Sequence, residues 1–358
     1  MAQSPLRVGF IGIGGIGAGH ARAAAQHPNM EVAAFLDVKD EFLERASRQH
    51  PQAAVCKTLE QFLATPKLDA AVVATPNSMH AEYTIACAQK GLHVLCEKPM
   101  AMTVAEAEPM VQAVKSRSLV GLTNFSYRWV ESFRLMRETV KSGAFGRVFR
   151  LHVKYLQSFL RDPNSPLVWR NRVEIAGFGA LGDLGSHMID AARFITGAEP
   201  RRVIGVKNTH VADKLDPKTG GRAPVTTDTD AQFMVDFGAF VGIFETSQVE
   251  PAHGNHLVVS FGGENGSARV YSEDGKRFEL ALGEPYANYP TWKTCLPWVD
   301  VPTTKQLNLK SGRGCIDDFY SAIRDGLADY PSFEDGLAAQ KVLNGILESE
   351  RTKAWVEF

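Results

Sequence analysis

Short apolar runs alternate with amphipathic or alanine-rich segments through the first third of the chain. The apolar runs predict five strands, at 6–11, 31–36, 70–74, 93–96 and 119–123. The segments between them predict helices at 15–26, 40–49, 58–63, 78–90 and 104–115. Strands that alternate with helices form βαβ units, whose strands lie parallel in one sheet. We therefore predict an α/β domain with a parallel sheet over residues 1–124.

After residue 124 the pattern changes to strands that follow one another with few helices between them. Six strands are predicted at 148–159, 202–211, 230–236, 241–248, 256–262 and 267–271, and a last one at 355–358. Helices are predicted at 130–141, 317–327 and 336–349, and loops at 212–227 and 283–305. A strand-rich half of this kind predicts an α+β domain over 125–358 with an antiparallel or mixed sheet.

Composition excludes several classes of function. The 358 residues carry a formal net charge of -1, which gives no basic surface for nucleic acid or for an acidic membrane. No apolar run reaches the roughly 18 residues that a bilayer span needs. The amino terminus enters a strand directly and lacks a signal-peptide layout. We therefore expect a cytoplasmic globular protein that acts on a small molecule.

The cysteines do not form a recognisable framework. They are odd in number, scattered and without CxxC spacing: Cys56, Cys87, Cys96, Cys295 and Cys315. This pattern predicts reduced thiols rather than disulfides or a zinc site. For Cys96, two residues before Lys98, a reactive thiol is an alternative to a buried structural one.

A glycine-rich loop follows the first predicted strand. The sequence VGFIGIGGIGAGH contains Gly12-x-Gly14-x-x-Gly17 between an apolar strand and a helix. In that context the glycines permit a tight turn, close approach of a pyrophosphate and close packing of helix on strand. The helix N-terminus then offers N–H groups to phosphate. The loop predicts a dinucleotide site, and a tight turn that binds nothing is the alternative.

Asp37 ends the second predicted strand, twenty residues after Gly17. An acidic side chain at this point accepts hydrogen bonds from ribose hydroxyls and repels a 2′-phosphate. NAD is therefore favoured over NADP, although Lys39 keeps NADP open.

Two further strand ends carry polar residues. Thr75 and Asn77 follow the strand at 70–74, where they can contact a nucleotide or simply cap the next helix. Lys98 follows the strand at 93–96, and its charge there can stabilise an alkoxide that forms on a substrate. Lys98 can equally be a solvated loop residue.

The segment GFGALGDLGSHMID, residues 177–190, places ionisable groups among glycines and apolar residues. At about 100° per residue, Asp183, His187 and Asp190 fall within roughly 60° of one another on a helix. A carboxylate at i and an imidazole at i+4 can touch, and an oriented histidine is suited to act as a general base. A core ion pair and a metal site are the alternatives.

Three motifs together carry a family resemblance. GIGGIG, then EKP, then LGDLGSHMIDAARFITG resemble the glucose-fructose oxidoreductase, inositol dehydrogenase and rhizopine-catabolism (Gfo/Idh/MocA) family, in family order and over nearly the whole chain. The resemblance implies a Rossmann NAD-binding domain at 1–124. It also implies a substrate-binding and oligomerisation domain at 125–358, whose large, mostly antiparallel open sheet forms homodimers or homotetramers.

The same resemblance implies the roles of individual residues. Lys98, Asp183 and His187 match the family's catalytic positions, with His187 as general base, Asp183 orienting it and Lys98 holding the hydroxyl oxygen. Asp190 completes the motif in a supporting role, and no metal is expected. The predicted cofactor-binding residues are Gly12, Gly14, Gly15, Ile16, Gly17, Asp37, Thr75, Pro76, Asn77, His80, Glu97, Lys98 and Asn124. The predicted substrate-binding residues are Lys98, Arg128, Tyr155, Gln157, Trp169, Arg170, Asp183 and His187.

The function predicted from these residues is NAD-dependent oxidation of a secondary hydroxyl on a cyclic polyol or sugar, such as an inositol, a pyranose or an anhydro-sugar. Tyr155 and Gln157 share one face of a strand and, with Trp169 and Arg170, suit a ring with an apolar face and a polar rim. Ordinary sheet packing explains them as well. The alternatives are an NADPH-dependent carbonyl or imine reductase, an NAD-dependent glycosidase, and a non-catalytic sugar sensor.

Overall fold

The computed structural model describes residues 4–273, 275, 277–283, 297–302 and 314–358. The strands are β1 (Leu6–Ile11), β2 (Met30–Leu36), β3 (Ala54–Cys56), β4 (Ala70–Val73), β5 (His93–Cys96), β6 (Gly121–Thr123), β7 (Val148–Leu156), β8 (Arg202–Asn208), β9 (Asp213–Leu215), β10 (Arg222–Pro224), β11 (Asp230–Asp236), β12 (Val241–Ser247), β13 (His256–Gly263), β14 (Gly266–Tyr271), β15 (Arg277–Leu282), β16 (Val299–Pro302) and β17 (Val356–Glu357). The helices are α1 (Gly15–Gln26), α2 (Asp40–Gln49), α3 (Leu59–Leu63), α4 (His80–Gln89), α5 (Val104–Lys115), α6 (Glu131–Lys141), α7 (Val173–Ala176), α8 (Ser186–Thr196), α9 (Cys315–Arg324) and α10 (Phe333–Thr352). Across the described ranges, no helix is long and apolar enough to cross a bilayer.

These elements divide into two units. The described residues of Met1–Asn124 and Arg313–Gln340 form the first unit, and those of Phe125–Gly312 and Lys341–Phe358 form the second. The sequence assigned everything after residue 124 to the second domain. The structure differs at α9 and the start of α10, because Phe333 is fully buried in the hydrophobic core of the first unit.

The first unit is built on a six-stranded sheet with the order β3-β2-β1-β4-β5-β6. All of its strand pairs are parallel, which confirms the predicted sheet. The central strand β4, Ala70–Val73, is buried along its whole length. Such continuous burial is what a parallel sheet covered by helices on both faces requires.

The second unit contains a nine-stranded sheet with the order β16-β15-β14-β13-β7-β12-β11-β8-β17. Among the described strands of this sheet, β7 and β12 are the one parallel pair, whereas β13 lies antiparallel to β7 and β11 antiparallel to β12. The predicted mostly antiparallel sheet is therefore confirmed. Along β11 buried residues alternate with more exposed ones, as expected of a sheet with one packed face.

Two predicted loops differ from the structure. The segment 212–227 contains the hairpin of β9 and β10, whose backbone pairing is reinforced by an ion pair between Asp213 and Arg222. The short, polar strands of this hairpin leave no apolar alternation to detect. The segment 283–305 contains β16, and 284–296 and 303–305 lie outside the described residues.

The turn between β1 and α1 is held by a close backbone approach. Gly12 has a φ of +78°, a conformation that side chains disfavour. A Cβ at Gly17 would lie 1.9 Å from the carbonyl oxygen of Gly12, so only glycine lets α1 pack this tightly. A Cβ at Gly15, in contrast, would meet nothing within 4 Å.

We predict that Gly17→Ala lowers the free energy of unfolding of the cofactor-free protein by about 1–3 kcal/mol or more, because the backbone of the turn must move to admit the methyl group. The measurement is urea unfolding followed by far-ultraviolet circular dichroism.

Gly15→Ala is the matched control. It lies in the same helix turn and should leave stability unchanged or raise it by up to about 1 kcal/mol, since alanine is the better helix former. Equal stabilities for Gly17→Ala and the unmodified protein would contradict the packing argument.

Candidate active site

The N-terminus of α1 is open to a ligand. Gly14 precedes this twelve-residue helix and has no side chain that could cap it. The N–H groups of the first turn therefore depend on other hydrogen-bond partners. A Cβ at Gly15 would meet no atom of the described residues within 4 Å, and the neighbouring Ile16 is 57% exposed. A helix terminus of this kind attracts an anion.

Asp37 ties the glycine loop to the end of β2. Its Oδ2 accepts a hydrogen bond from the N–H of Ile13 at 2.9 Å, and its Oδ1 accepts one from the N–H of Lys39 at 3.0 Å. Each carboxylate oxygen keeps a further lone pair, which suits a ribose hydroxyl donor. The Lys39 ammonium lies 5.0 Å from the ring centroid of Phe42.

Beyond β4 the chain presents polar groups at the same edge of the sheet. The hydroxyl Oγ1 of Thr75 is buried and has no hydrogen-bond partner within the described part of the chain, so a bound ligand can complete it. Pro76 precedes a 3₁₀ turn over Asn77–Met79 in which Asn77 is buried. Together with the open helix terminus and Asp37, these groups fit a dinucleotide.

His80 joins two strand-end segments. Its Nε2 lies 3.0 Å from the carbonyl oxygen of Thr75, and its Nδ1 lies 3.0 Å from that of Pro99. The imidazole is fully buried, and burial lowers its pKa. Any cofactor contact by His80 stays a prediction, because both ring nitrogens face the protein backbone.

Glu97 lies at the centre of a buried polar cluster after β5. Its Oε1 is 2.6 Å from Nε2 of His20 and accepts a hydrogen bond from Nδ2 of Asn124, also at 2.6 Å. Burial favours the neutral acid, but the His20 and Asn124 contacts outweigh it and hold the pKa of Glu97 below its usual value. The sequence singled out Glu97 and Asn124 and missed His20.

Lys98 follows this cluster directly. It is half-buried, and the bond to Pro99 is a cis peptide. Two residues earlier, Cys96 is fully buried, and burial raises the pKa of its thiol above the usual range. The alternative of a reactive thiol at Cys96 is therefore wrong, because the thiolate is disfavoured and reagents cannot reach it.

In the second unit, a buried carboxylate anchors the segment that carries Asp183 and His187. Asp228 accepts hydrogen bonds from the N–H groups of Gly179 at 2.8 Å and Leu181 at 2.6 Å. These bonds fix the start of a π-helical turn, Leu181–Gly185, which leads into α8. The predicted plain α-helix is therefore interrupted, and a π turn of this kind is frequent at functional sites.

His187 lies at the start of α8 among aromatic rings. Its ring centroid is 5.1 Å from that of Tyr127 and 6.1 Å from that of Phe125, both edge to face. Only 6% of the residue is exposed. Asp183, one turn earlier, accepts a hydrogen bond at 2.8 Å from the amide of Gln248. The segment thus places a buried imidazole and a hydrogen-bonded carboxylate one helical turn apart.

A network of hydroxyl and amide groups lies beside this imidazole. Tyr155, whose ring centroid is 6.4 Å from that of His187, accepts from the Tyr127 hydroxyl at 2.7 Å and donates to Oδ1 of Asn255 at 2.7 Å. Gln157 donates to the same oxygen of Asn255 at 2.7 Å. Tyr155 and Gln157 therefore share a face, as the strand alternation predicted. Burial, together with the Tyr127 hydroxyl, raises the pKa of Tyr155.

Arg128 forms an ion pair with Asp190. Its Nε is 3.1 Å and 3.0 Å from the two oxygens of the Asp190 carboxylate, and both residues are buried. The Asp190 carboxylate is therefore held by a buried ion pair, which agrees with the supporting role predicted for it. Trp169 is half-buried with the Arg170 guanidinium 4.4 Å from its ring centroid, and Arg170 is exposed. Substrate contacts by these three predicted residues stay predictions.

Sequence reasoning missed residues whose partners are distant in the chain. Gln248, Asp228 and Asn255 reach the site from strands or loops that carry no motif. Gln248 directly follows β12, whose last three residues are also polar, so no sequence signal marks Gln248 out. Within the described ranges, no group of three or more His, Cys, Asp or Glu residues could hold a metal ion.

Comparison with known families covers both units. Residues 6–125 match the family model described as oxidoreductase family, NAD-binding Rossmann fold, and residues 133–269 match the GFO/IDH/MocA C-terminal domain. NAD, the cofactor predicted from the glycine loop and Asp37, is thus the cofactor of the family's N-terminal fold.

Individual relatives extend over the full length. Levoglucosan dehydrogenase of Pseudarthrobacter phenanthrenivorans is 31% identical, with 98% of each chain covered. The scyllo-inositol 2-dehydrogenase (NADP(+)) of Bacillus subtilis is 25% identical over 89% of each chain. A solved levoglucosan dehydrogenase in complex with NADH and levoglucosan superposes with a TM-score of 0.87 at 30% identity, with 99% of each chain covered. The chain belongs to the Gfo/Idh/MocA family of NAD(P)-dependent oxidoreductases.

Proposed function

We propose that this protein oxidises a secondary hydroxyl of a cyclic polyol or sugar with NAD as the acceptor. The observation that carries the proposal is the buried imidazole of His187 beside the hydroxyl and amide network of Tyr155. Asp183 lies four residues earlier in the sequence. A general base next to an array of hydrogen-bonding groups suits a polyol better than an apolar substrate.

Each catalytic residue has one task in this proposal. NAD, when bound, supplies the acceptor for the hydride. His187 takes the proton of the reacting hydroxyl, and Asp183 stabilises the imidazolium that results. Gln248 holds the Asp183 carboxylate in orientation through its amide. The ammonium of Lys98 stabilises the negative charge that develops on the substrate oxygen.

The polarity of the network supports this substrate class. The buried Tyr155 and Tyr127 place hydroxyls beside His187, and the half-buried Gln157 and the exposed Asn255 offer amides. Such a set matches a ring with an apolar face and hydroxyls around its rim. Relatives that act on levoglucosan and on inositols support this class, so the assay panel is levoglucosan, myo-inositol, scyllo-inositol and methyl glucosides.

We predict that His187→Asn lowers kcat on the best panel substrate by about 10²–10⁴-fold, because the general base is removed. Lys98→Ala should lower it by about 10²–10³-fold, because charge stabilisation is lost. Initial rates of NADH formation measure both effects. Circular dichroism verifies that each variant is folded.

His210→Asn is the control for the histidine variant. His210 belongs to the same unit, its side chain is 57% exposed, and kcat should stay within about twofold. Full activity of His187→Asn, or no turnover of any panel member by the unmodified protein, would overturn the assignment.

Asp37 sets the cofactor preference in this proposal. We predict that Asp37→Ser raises the ratio of NADPH affinity to NADH affinity at least about tenfold, because the like charge that opposes a 2′-phosphate is removed. Dissociation constants from nucleotide fluorescence measure the ratio.

Asp40→Asn is the matched control for Asp37→Ser, since Asp40 is an exposed acid three residues later that pairs with Lys57. It should leave the affinity ratio unchanged. An unchanged ratio for Asp37→Ser would contradict the proposed role of Asp37.

A further inference from the structure

A thiol, an imidazole and a carboxylate form a line within the first unit. Sγ of Cys315 lies 3.4 Å from Nδ1 of His20, and the opposite ring nitrogen of His20 lies 2.6 Å from Oε1 of Glu97. The dehydrogenase mechanism makes no use of this thiol. Cys315 opens the ten-residue helix α9, so its sulfur also lies at a helix N-terminus.

The reactivity of the Cys315 thiol depends on the charge of His20. Burial by itself lowers the pKa of His20, but the hydrogen bonds to Cys315 and Glu97 outweigh it and raise the pKa to about 10. His20 is therefore an imidazolium at neutral pH. Cys315 therefore lies beside a cationic ring and at a helix N-terminus.

Access separates Cys315 from the other described cysteines. Cys56, Cys87 and Cys96 are buried, whereas Cys315 is half-buried. Burial raises the pKa of the Cys87 thiol to about 12, so that side chain stays protonated and inert. Cys315 combines a charged partner with partial exposure, and these are the two conditions of a reactive thiol.

Glu97, the carboxylate of this group, is next to predicted cofactor-binding residues. Glu97 precedes Lys98 and holds the amide Nδ2 of Asn124. The other amide atom of Asn124, Oδ1, is buried and lacks a hydrogen-bond partner among the residues that the structure describes. The cluster therefore has an acceptor that a bound ligand can complete, and His20 itself lies on the helix that begins at the glycine loop.

We propose that Cys315 is a reactive thiol that peroxides oxidise, and that its oxidation weakens NAD binding through His20 and Glu97. The Cys315 thiolate attacks one peroxide oxygen and the O–O bond breaks. The sulfur is oxidised to sulfenic acid, and the leaving hydroxide takes the His20 proton and departs as water. Glu97 then faces a neutral imidazole and loses its charge partner, which weakens the cluster that positions Asn124 and the start of the Lys98 segment.

The first test measures the reactivity of the thiol in the full-length protein. Iodoacetamide, which transfers its acetamide group to sulfur with loss of iodide, is used at neutral pH, and the tryptic peptide 314–324 is followed by mass spectrometry. We expect Cys315 to react at least about tenfold faster than the same cysteine in the free synthetic peptide. His20→Gln should remove most of this difference.

His27→Gln is the matched control for His20→Gln. His27 directly follows the same helix and packs against α9, with its ring centroid 4.4 Å from that of Tyr320 and its Nε2 3.8 Å from Oδ1 of Asp317. It should keep the fast rate. A Cys315 rate in the native protein no higher than in the free peptide overturns the proposal, and this comparison remains decisive even if His20→Gln fails to fold.

The second test measures the consequence for the cofactor. Hydrogen peroxide treatment should raise the dissociation constant for NADH at least about fivefold, and dithiothreitol should restore it. Cys315→Ser, compared with its own untreated sample, should show no change. An unaltered NADH affinity after verified oxidation of Cys315 overturns the coupling. NADH binding is measured without substrate, so this result is independent of whether the proposed dehydrogenase reaction is correct.

Discussion

The carboxylate of Glu97 is buried at the end of β5, where its charge must be compensated by the residues around it. A buried ionised carboxylate without partners would cost several kcal/mol, so its partners are constrained in position. His20 and Asn124 supply the compensation, each at 2.6 Å. This requirement links the glycine-loop helix, the strand end before Lys98 and β6 into one arrangement, and the cofactor-binding edge of the sheet depends on it.

The second unit also contains buried carboxylates whose partners are fixed in position. Asp228 is buried, and its carboxylate accepts hydrogen bonds from two backbone N–H groups at the start of the π turn, although burial raises its pKa. Arg128 pairs with Asp190 on the following helix. Between these two anchors lie Asp183 and His187. The anchors limit the motion of the proposed general base, and restricted geometry of this kind is what proton transfer requires.

Local patterns were sufficient for part of this arrangement. The alternation of strands and helices predicted the parallel sheet, and the glycine spacing predicted the turn that Gly12 and Gly17 make. Contacts between distant residues left no such pattern: Tyr155 and Asn255 lie 100 positions apart, and His20 and Cys315 lie 295 apart. The π turn was missed because the Asp228 carboxylate, which accepts hydrogen bonds from Gly179 and Leu181 at its start, comes from a segment with no motif.

The central claim is that a carbinol hydrogen of a cyclic polyol is transferred to NAD with His187 as the base. The direct measurement is mass spectrometry of the NADH formed from levoglucosan, or from the best substrate of the panel, deuterated at its carbinol carbons. The account predicts one deuterium per NADH, and labelled NADH that forms about 10²–10⁴-fold more slowly when His187 is replaced by Asn. NADH that forms without deuterium, or label transfer at the unmodified rate in His187→Asn, would contradict it.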